Sequence, residues 1–136
     1  MEAPDGADRP RRGRLTRSRD FDAVYRRGKS AASRHLVVYV FDRPADERVD
    51  APGPRLGLSV SRKVGGAVER NVVKRALREQ FAAISAFVPV GSDVVLIARA
   101  GLAEYVEERG SAAVGERMRE LLEKLGLLEG VAGSAS

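Results

Sequence analysis

Residues 59–79 read SVSRKVGGAVERNVVKRALRE. Leu56, Leu58 and Val60 alternate with Gly57, Ser59 and Ser61, which predicts a strand over 55–62 leading into it. A Gly65–Gly66 turn follows, and the spacing predicts a helix over 67–87, stopped by Pro89 and Gly91. At about 100° per residue, Arg70, Asn71, Lys74, Arg75 and Arg78 fall within an arc of about 140°. Val72, Val73, Ala76, Leu77, Ala83, Ile84 and Phe87 fill most of the opposite side, so this helix rests on a core with its basic face outward. Its N-terminus, with free N–H groups and the positive dipole end, is expected to welcome phosphate. The next apolar run, DVVLIA at 93–98, predicts a third strand, central in its sheet.

Upstream, residues 18–27 predict a helix. Ser18 serves as N-cap, Asp20 and Asp22 suit the dipole of the first turn, and Gly28 follows at C′. Phe21, Val24 and Tyr25 share one face. Residues 35–41 predict a strand with Leu36, Val38 and Val40 on one side and Val37, Tyr39 and Phe41 on the other. Both sides are apolar, so one needs an explanation beyond the main core. Residues 43–54, rich in Pro, Gly and acid, predict a long hairpin connection with room for an extra short strand. A last helix over 111–125 carries Val114, Met118, Leu121, Leu122 and Leu125 in phase, with Gly126 as its stop. The expected architecture is an α/β (α+β) two-layer sandwich, a small mixed sheet with helices in the order α-β-β-(β)-α-β-α.

At 136 residues the chain is long enough for one domain, expected over 14–128, with a disordered basic arm at 1–13 and a disordered tail at 129–136. No apolar run approaches the ~20 residues of a membrane span, and no h-region marks a secretory signal. The expected compartment is therefore cytoplasmic. With no Cys and one His, neither a thiolate nor a multi-histidine metal site is available. The balance of 24 basic against 19 acidic residues, a net +5, points to a polyanionic partner. The excess is concentrated in two places. Residues 9–34 hold ten basic residues against Asp20 and Asp22, and residues 55–80 hold seven against Glu69 and Glu79. A solvated basic helix face is the plainer reading of the 70–78 stripe, but neither Glu69 nor Glu79 lies inside its arc.

The segment KVGGAVERNVVKRALRE resembles the signature of the bacterial ribonuclease P protein subunit, a K-x-G-x-A-V-x-R-N-x-x-K-R-x-x-R-E pattern on that family's second helix. Lys63, Gly65, Ala67, Val68, Arg70, Asn71, Lys74, Arg75, Arg78 and Glu79 are the matching positions. LTRSRDFDAVYRRG (15–28) is similar to the family's first helix, and RHLVVYVFDRP (34–44) and RLGLSVS (55–61) to its strands. One departure stands at the centre of the motif. The family reads Arg-Asn-Arg there, and this chain has Val72 in the third place.

The resemblance implies an unusual left-handed βαβ crossover, where pattern alone predicts a right-handed one. It implies an endoribonuclease whose catalyst is mostly RNA: the protein joins a catalytic RNA and assists Mg2+-dependent removal of the 5′ leader from precursor tRNA. The Mg2+ is then held mainly by the RNA, and no protein side chain is catalytic. The residues agree, since no carboxylate cluster or nucleophile–base pair is evident and His35 reads as structural. Arg62, Lys63, Arg70, Asn71, Lys74, Arg75 and Arg78 are the implied contacts to the catalytic RNA. The implied leader cleft lies between first helix and sheet, lined by Phe21, Tyr25, Val37 and Tyr39, with ordinary core the alternative for each. Expected partners are the catalytic RNA and precursor tRNA, with no DNA, membrane or obligate protein partner. A non-catalytic RNA-binding module, such as a ribosomal protein or RNA chaperone, is the alternative that charge and fold alone leave open. A DNA-binding regulator is weaker, for no helix-turn-helix pair is evident.

Overall fold

A computed structural model describes residues 14–15, 17–44 and 53–128. The expected arm at 1–13, the tail at 129–136 and most of the 43–54 loop lie outside the described residues. The elements run α1 (Ser18–Arg27), β1 (Lys29–Ala32), β2 (Leu36–Asp42), β3 (Arg55–Val60), α2 (Ala67–Ile84), a 3-10 turn (Ser85–Phe87), β4 (Ser92–Ala98), α3 (Leu102–Arg109) and α4 (Ser111–Lys124). The α/β sandwich with a small mixed sheet holds, with two elements more than the pattern gave and with α1 as a layer of its own on the face opposite α2 and α4.

The sheet order is β1-β2-β4-β3. β4 is central, as its composition predicts, antiparallel to β2 and parallel to β3. β2 and β3 are therefore not a hairpin, which corrects the reading of the loop between them. The parallel β3–β4 pair needs a crossover, and α2 supplies it. The additional strand is β1, ahead of β2 rather than inside the 43–54 loop. It forms an edge by pairing Lys29↔Val40 through Ala32↔Val37.

Leu36, Val38, Val40, Leu56, Val94, Leu96 and Ala98 face the main core and meet Val73, Leu77 and Phe81 of α2 and Val114, Met118, Leu121 and Leu122 of α4. Phe81 is the residue the predicted apolar arc left out. Val72 and Phe87, placed in that arc, are exposed, as is Ala83. The α-helix ends at Ile84, where the chain tightens into the 3-10 turn. Gly110, at φ +84°, separates α3 from α4 at a backbone angle that favours glycine.

The opposite face belongs to α1, which packs on β2 and β4. Val24, Leu15 and Val95 are buried there, with Phe21, Tyr39, Phe41 and Ile97 partly buried around them. The α1 bounds match expectation, but its caps differ. Arg17 takes the N-cap position with no side-chain bond, and Ser18 is already helical. Gly28 is the C-cap, in extended backbone, and it is required by close approach: a Cβ would lie 2.5 Å from both the Val24 and Val40 carbonyl oxygens.

Candidate nucleic-acid interface

α2 turns Val73, Ala76, Leu77 and Phe81 to the core. Asn71, Arg75 and Arg78 are exposed on its other side, and Arg70 and Lys74 are half-buried along their stems. Arg70, Lys74 and Arg78 recur every four residues, a step of about 6 Å along the axis. The predicted stripe is thus a continuous cationic ridge that can follow a phosphate chain. Arg62 and Lys63 project from the turn before α2. There the Val64 N–H donates to the Ser61 carbonyl at 3.0 Å, and the buried Val64 side chain anchors the loop.

The expected phosphate seat at the α2 N-terminus is not open. The Glu69 carboxylate accepts the Gly66 N–H at 3.0 Å, so the chain's own anion occupies that dipole end. Val68 and Val72, one turn apart, are 72% and 45% exposed, leaving an apolar strip where the family motif places an arginine.

A second surface forms where α1 leaves the sheet uncovered. α1 starts over β3, with the Phe21 ring against Gly57, and ends over β2, with Gly28 against Val40. It therefore crosses one end of its sheet face. The register puts Ala32, Val37, Ile97 and Ser59 side by side beyond it. Val37, Ile97 and Ser59 are half-buried there. The Tyr39 ring meets Tyr25 edge-on at 5.1 Å, and Tyr25 lies 6.2 Å from Phe21. Tyr25 is 40% exposed, whereas Phe21 and Tyr39 are half-buried. These residues are both core and surface: Phe21 and Tyr39 pack on Leu15, Val24 and Val95 while parts of their rings face outward. Burial, followed by Tyr39 and Asp22, pushes the Tyr25 phenol above its ordinary value and keeps it neutral. From Ser59 the chain runs directly into Arg62 and Lys63, so the trough opens toward cations. Ile97 was missed among the sequence-level candidates, although alternation along 93–98 places it on the Val95 side.

His35 lies just before β2 rather than in it. Its ring packs on Tyr105 at 5.1 Å, and Arg109 covers Tyr105 at 5.6 Å. A cavity of about 80 Å³ adjoins them, lined in part by Arg34, Leu102 and Arg117. Asp20, expected only to complement the helix dipole, also pairs with Arg55 at 3.6 Å. Among the described residues no three His, Asp or Glu converge to hold a metal ion, and no helix is long and apolar enough to cross a membrane.

The family pattern described as ribonuclease P matches residues 10–126. The chain is 41% identical over 116 residues to the ribonuclease P protein component of Geobacillus thermodenitrificans, covering 85% of this chain and 88% of the relative. It is 42% identical over 127 residues to that of Rhodococcus jostii, covering 93% and 98%. Among solved structures, the Staphylococcus aureus RNase P protein superposes with a TM-score of 0.71 at 30% identity, covering 87% of this chain and 99% of that one. The helical ridge, the sheet order and these matches agree, and the chain belongs to the ribonuclease P protein family.

Proposed function

We propose that this protein binds the catalytic RNA of ribonuclease P along Arg62, Lys63, Arg70, Asn71, Lys74, Arg75 and Arg78, and holds the 5′ leader of precursor tRNA in the trough of Phe21, Tyr25, Val37 and Tyr39. Ribonuclease P, tRNA processing and RNA binding come with the family. The observation that carries the finer reading is the partly uncovered face of β2 and β4, whose aromatic edge runs into the Arg62–Lys63 turn. Single strands are held by ring stacking, about 1–3 kcal/mol per base, beside a cationic track. The ridge neutralises phosphate repulsion where the RNA and its substrate converge, and so lowers the Mg2+ the assembly needs. In this reading the RNA binds the Mg2+ and activates water, the protein positions substrate, and the assembly works in the cytoplasm.

The test separates the two surfaces. Tyr39→Ala should weaken binding of leader-bearing precursor tRNA to the protein–RNA assembly by about five- to tenfold, with mature tRNA binding nearly unaltered. Arg70→Ala with Lys74→Ala and Arg75→Ala should instead weaken binding of the catalytic RNA and flatten its salt dependence by about one unit per lost phosphate contact. Equal losses for both tRNA forms in the first variant, or an unchanged salt slope in the second, would overturn the corresponding assignment.

A further inference from the structure

We propose that Asp20, Arg55 and Asp93 form an ionic relay that positions α1 and so sets the width of the trough, with Arg55 as the positioning residue. The inference rests on the leader reading above and adds what holds that site in shape.

Asp93 of β4 is 1% exposed, on the sheet face that α1 covers. Arg55 of β3, its register partner, grips both of its oxygens: Nε donates to Oδ1 and Nη2 to Oδ2, each at 2.8 Å. The remaining guanidinium nitrogen, Nη1, faces Asp20 Oδ2 of α1 at 3.6 Å. The planar fork transmits position because its nitrogens are fixed relative to one another. Asp93 is held from its other side. Buried Arg43 donates to Oδ1, and its guanidinium also reaches the Ser92 carbonyl at 3.2 Å and the Gly53 carbonyl at 2.9 Å. The central strand is thus the fixed end of the relay, and α1 is the supported end.

A buried charge set is a poor way to gain stability, since well-packed apolar side chains of similar volume serve as well or better. What it supplies here is direction. Val24 and Phe21 hold α1 on the sheet through apolar contacts, and the Asp20–Arg55 arm adds a directional restraint on its rotation. Phe21 and Tyr25 ride on that rotation, and Asp20 is the immediate neighbour of Phe21. The aromatic surface that Tyr25 and Tyr39 offer a base depends on how their touching rings are turned, so the ionic arm decides it.

Asp20→Asn removes one charge from a partly exposed side chain and leaves the Asp93–Arg55 grip in place. With the full chain, the catalytic RNA and precursor tRNA, KM for leader-bearing substrate should rise about three- to tenfold, the worth of part of one stacked base. The kcat, the affinity for catalytic RNA and the binding of mature tRNA should stay unchanged. Asp20→Glu should keep KM close to that of the parent chain, because the 3.6 Å pair accommodates a longer arm. Arg55→Lys, which keeps the charge and loses the fork, should raise KM as Asp20→Asn does. An unchanged leader preference in Asp20→Asn, with Tyr39→Ala still lowering it, overturns the relay and leaves the trough reading standing. Should neither variant alter leader preference, the trough reading fails and the relay with it.

Discussion

Replacing Gly57 by Ala tests how closely α1 is fitted to the sheet. A Cβ at this position would lie 2.7 Å from Cζ and 2.8 Å from Cε1 of Phe21, and 3.1 Å from Leu15 Cβ. Carbon atoms rest comfortably at about 3.5–4.0 Å, so the ring must retreat by about 1 Å. Overpacking of this kind costs about 1–3 kcal/mol. Alanine returns about 0.5–1 kcal/mol by restricting the unfolded backbone. The net is a destabilisation of about 0.5–2 kcal/mol, which in a domain of this size lowers Tm by about 2–8 °C. Moving the Phe21 ring also moves α1, so leader-bearing precursor tRNA should bind more weakly while mature tRNA does not. Thermal unfolding by circular dichroism and paired tRNA titrations measure both effects. Phe21→Leu in the Gly57→Ala background relieves the clash and should recover part of the loss, a coupling that a double-mutant cycle isolates. An unchanged Tm together with an unchanged leader preference would refute the argument that α1 is seated on Gly57.

Val72→Arg places a cation beside the ridge at a position already 45% exposed. It should steepen the salt dependence of RNA binding by about one unit while changing stability by less than about 0.5 kcal/mol; RNA titrations across salt concentration, with a denaturant curve, check both. Tyr25 titrates above its ordinary value in the folded chain, so its contribution to stability is complete below about pH 10 and is lost as pH rises through the folded-state value. Denaturant curves at pH 9 and pH 11 should therefore show the parent chain losing stability relative to Tyr25→Phe only at the higher pH, and parallel losses would contradict the assignment.

The helices with strong periodicity were legible. Phe21, Val24 and Tyr25 fixed α1, and the basic stripe fixed the exposed side of α2. β1 was not, because Lys29, Ser30, Ala31 and Ala32 lack alternation; the strand exists through backbone pairing to β2, with Ala31 packed against the core. α3 offers only eight residues, too few for periodicity to stand out, though Gly101 and Gly110 bracket it. The hairpin reading failed because adjacency in sequence favours pairing, and here β4 inserts itself between β2 and β3. Glu69 three residues after Gly66 is a readable capping signal, since its carboxylate can reach back to the Gly66 N–H. Arg43 and Arg55 carry no local mark of burial. Asp93, which pairs with both, lies 50 and 38 residues further along the chain.

The central position of β4 also governs the order in which the fold can be assembled. β2 reaches its main partner only across long separations, with Asp42 and Ser92 already 50 residues apart. During synthesis the first half of the domain emerges with α1 and the short β1 available to β2, whose other apolar side awaits α2 and α4. Closing such distant pairs is entropically costly and slows folding. The nascent chain therefore carries a partly uncovered apolar strand until β4 and then α4 have left the ribosome. A polyanion that gathers the basic segments at 14–34 and 62–78 would shorten that search, so RNA is expected to accelerate folding of the protein as well as to receive it once folded.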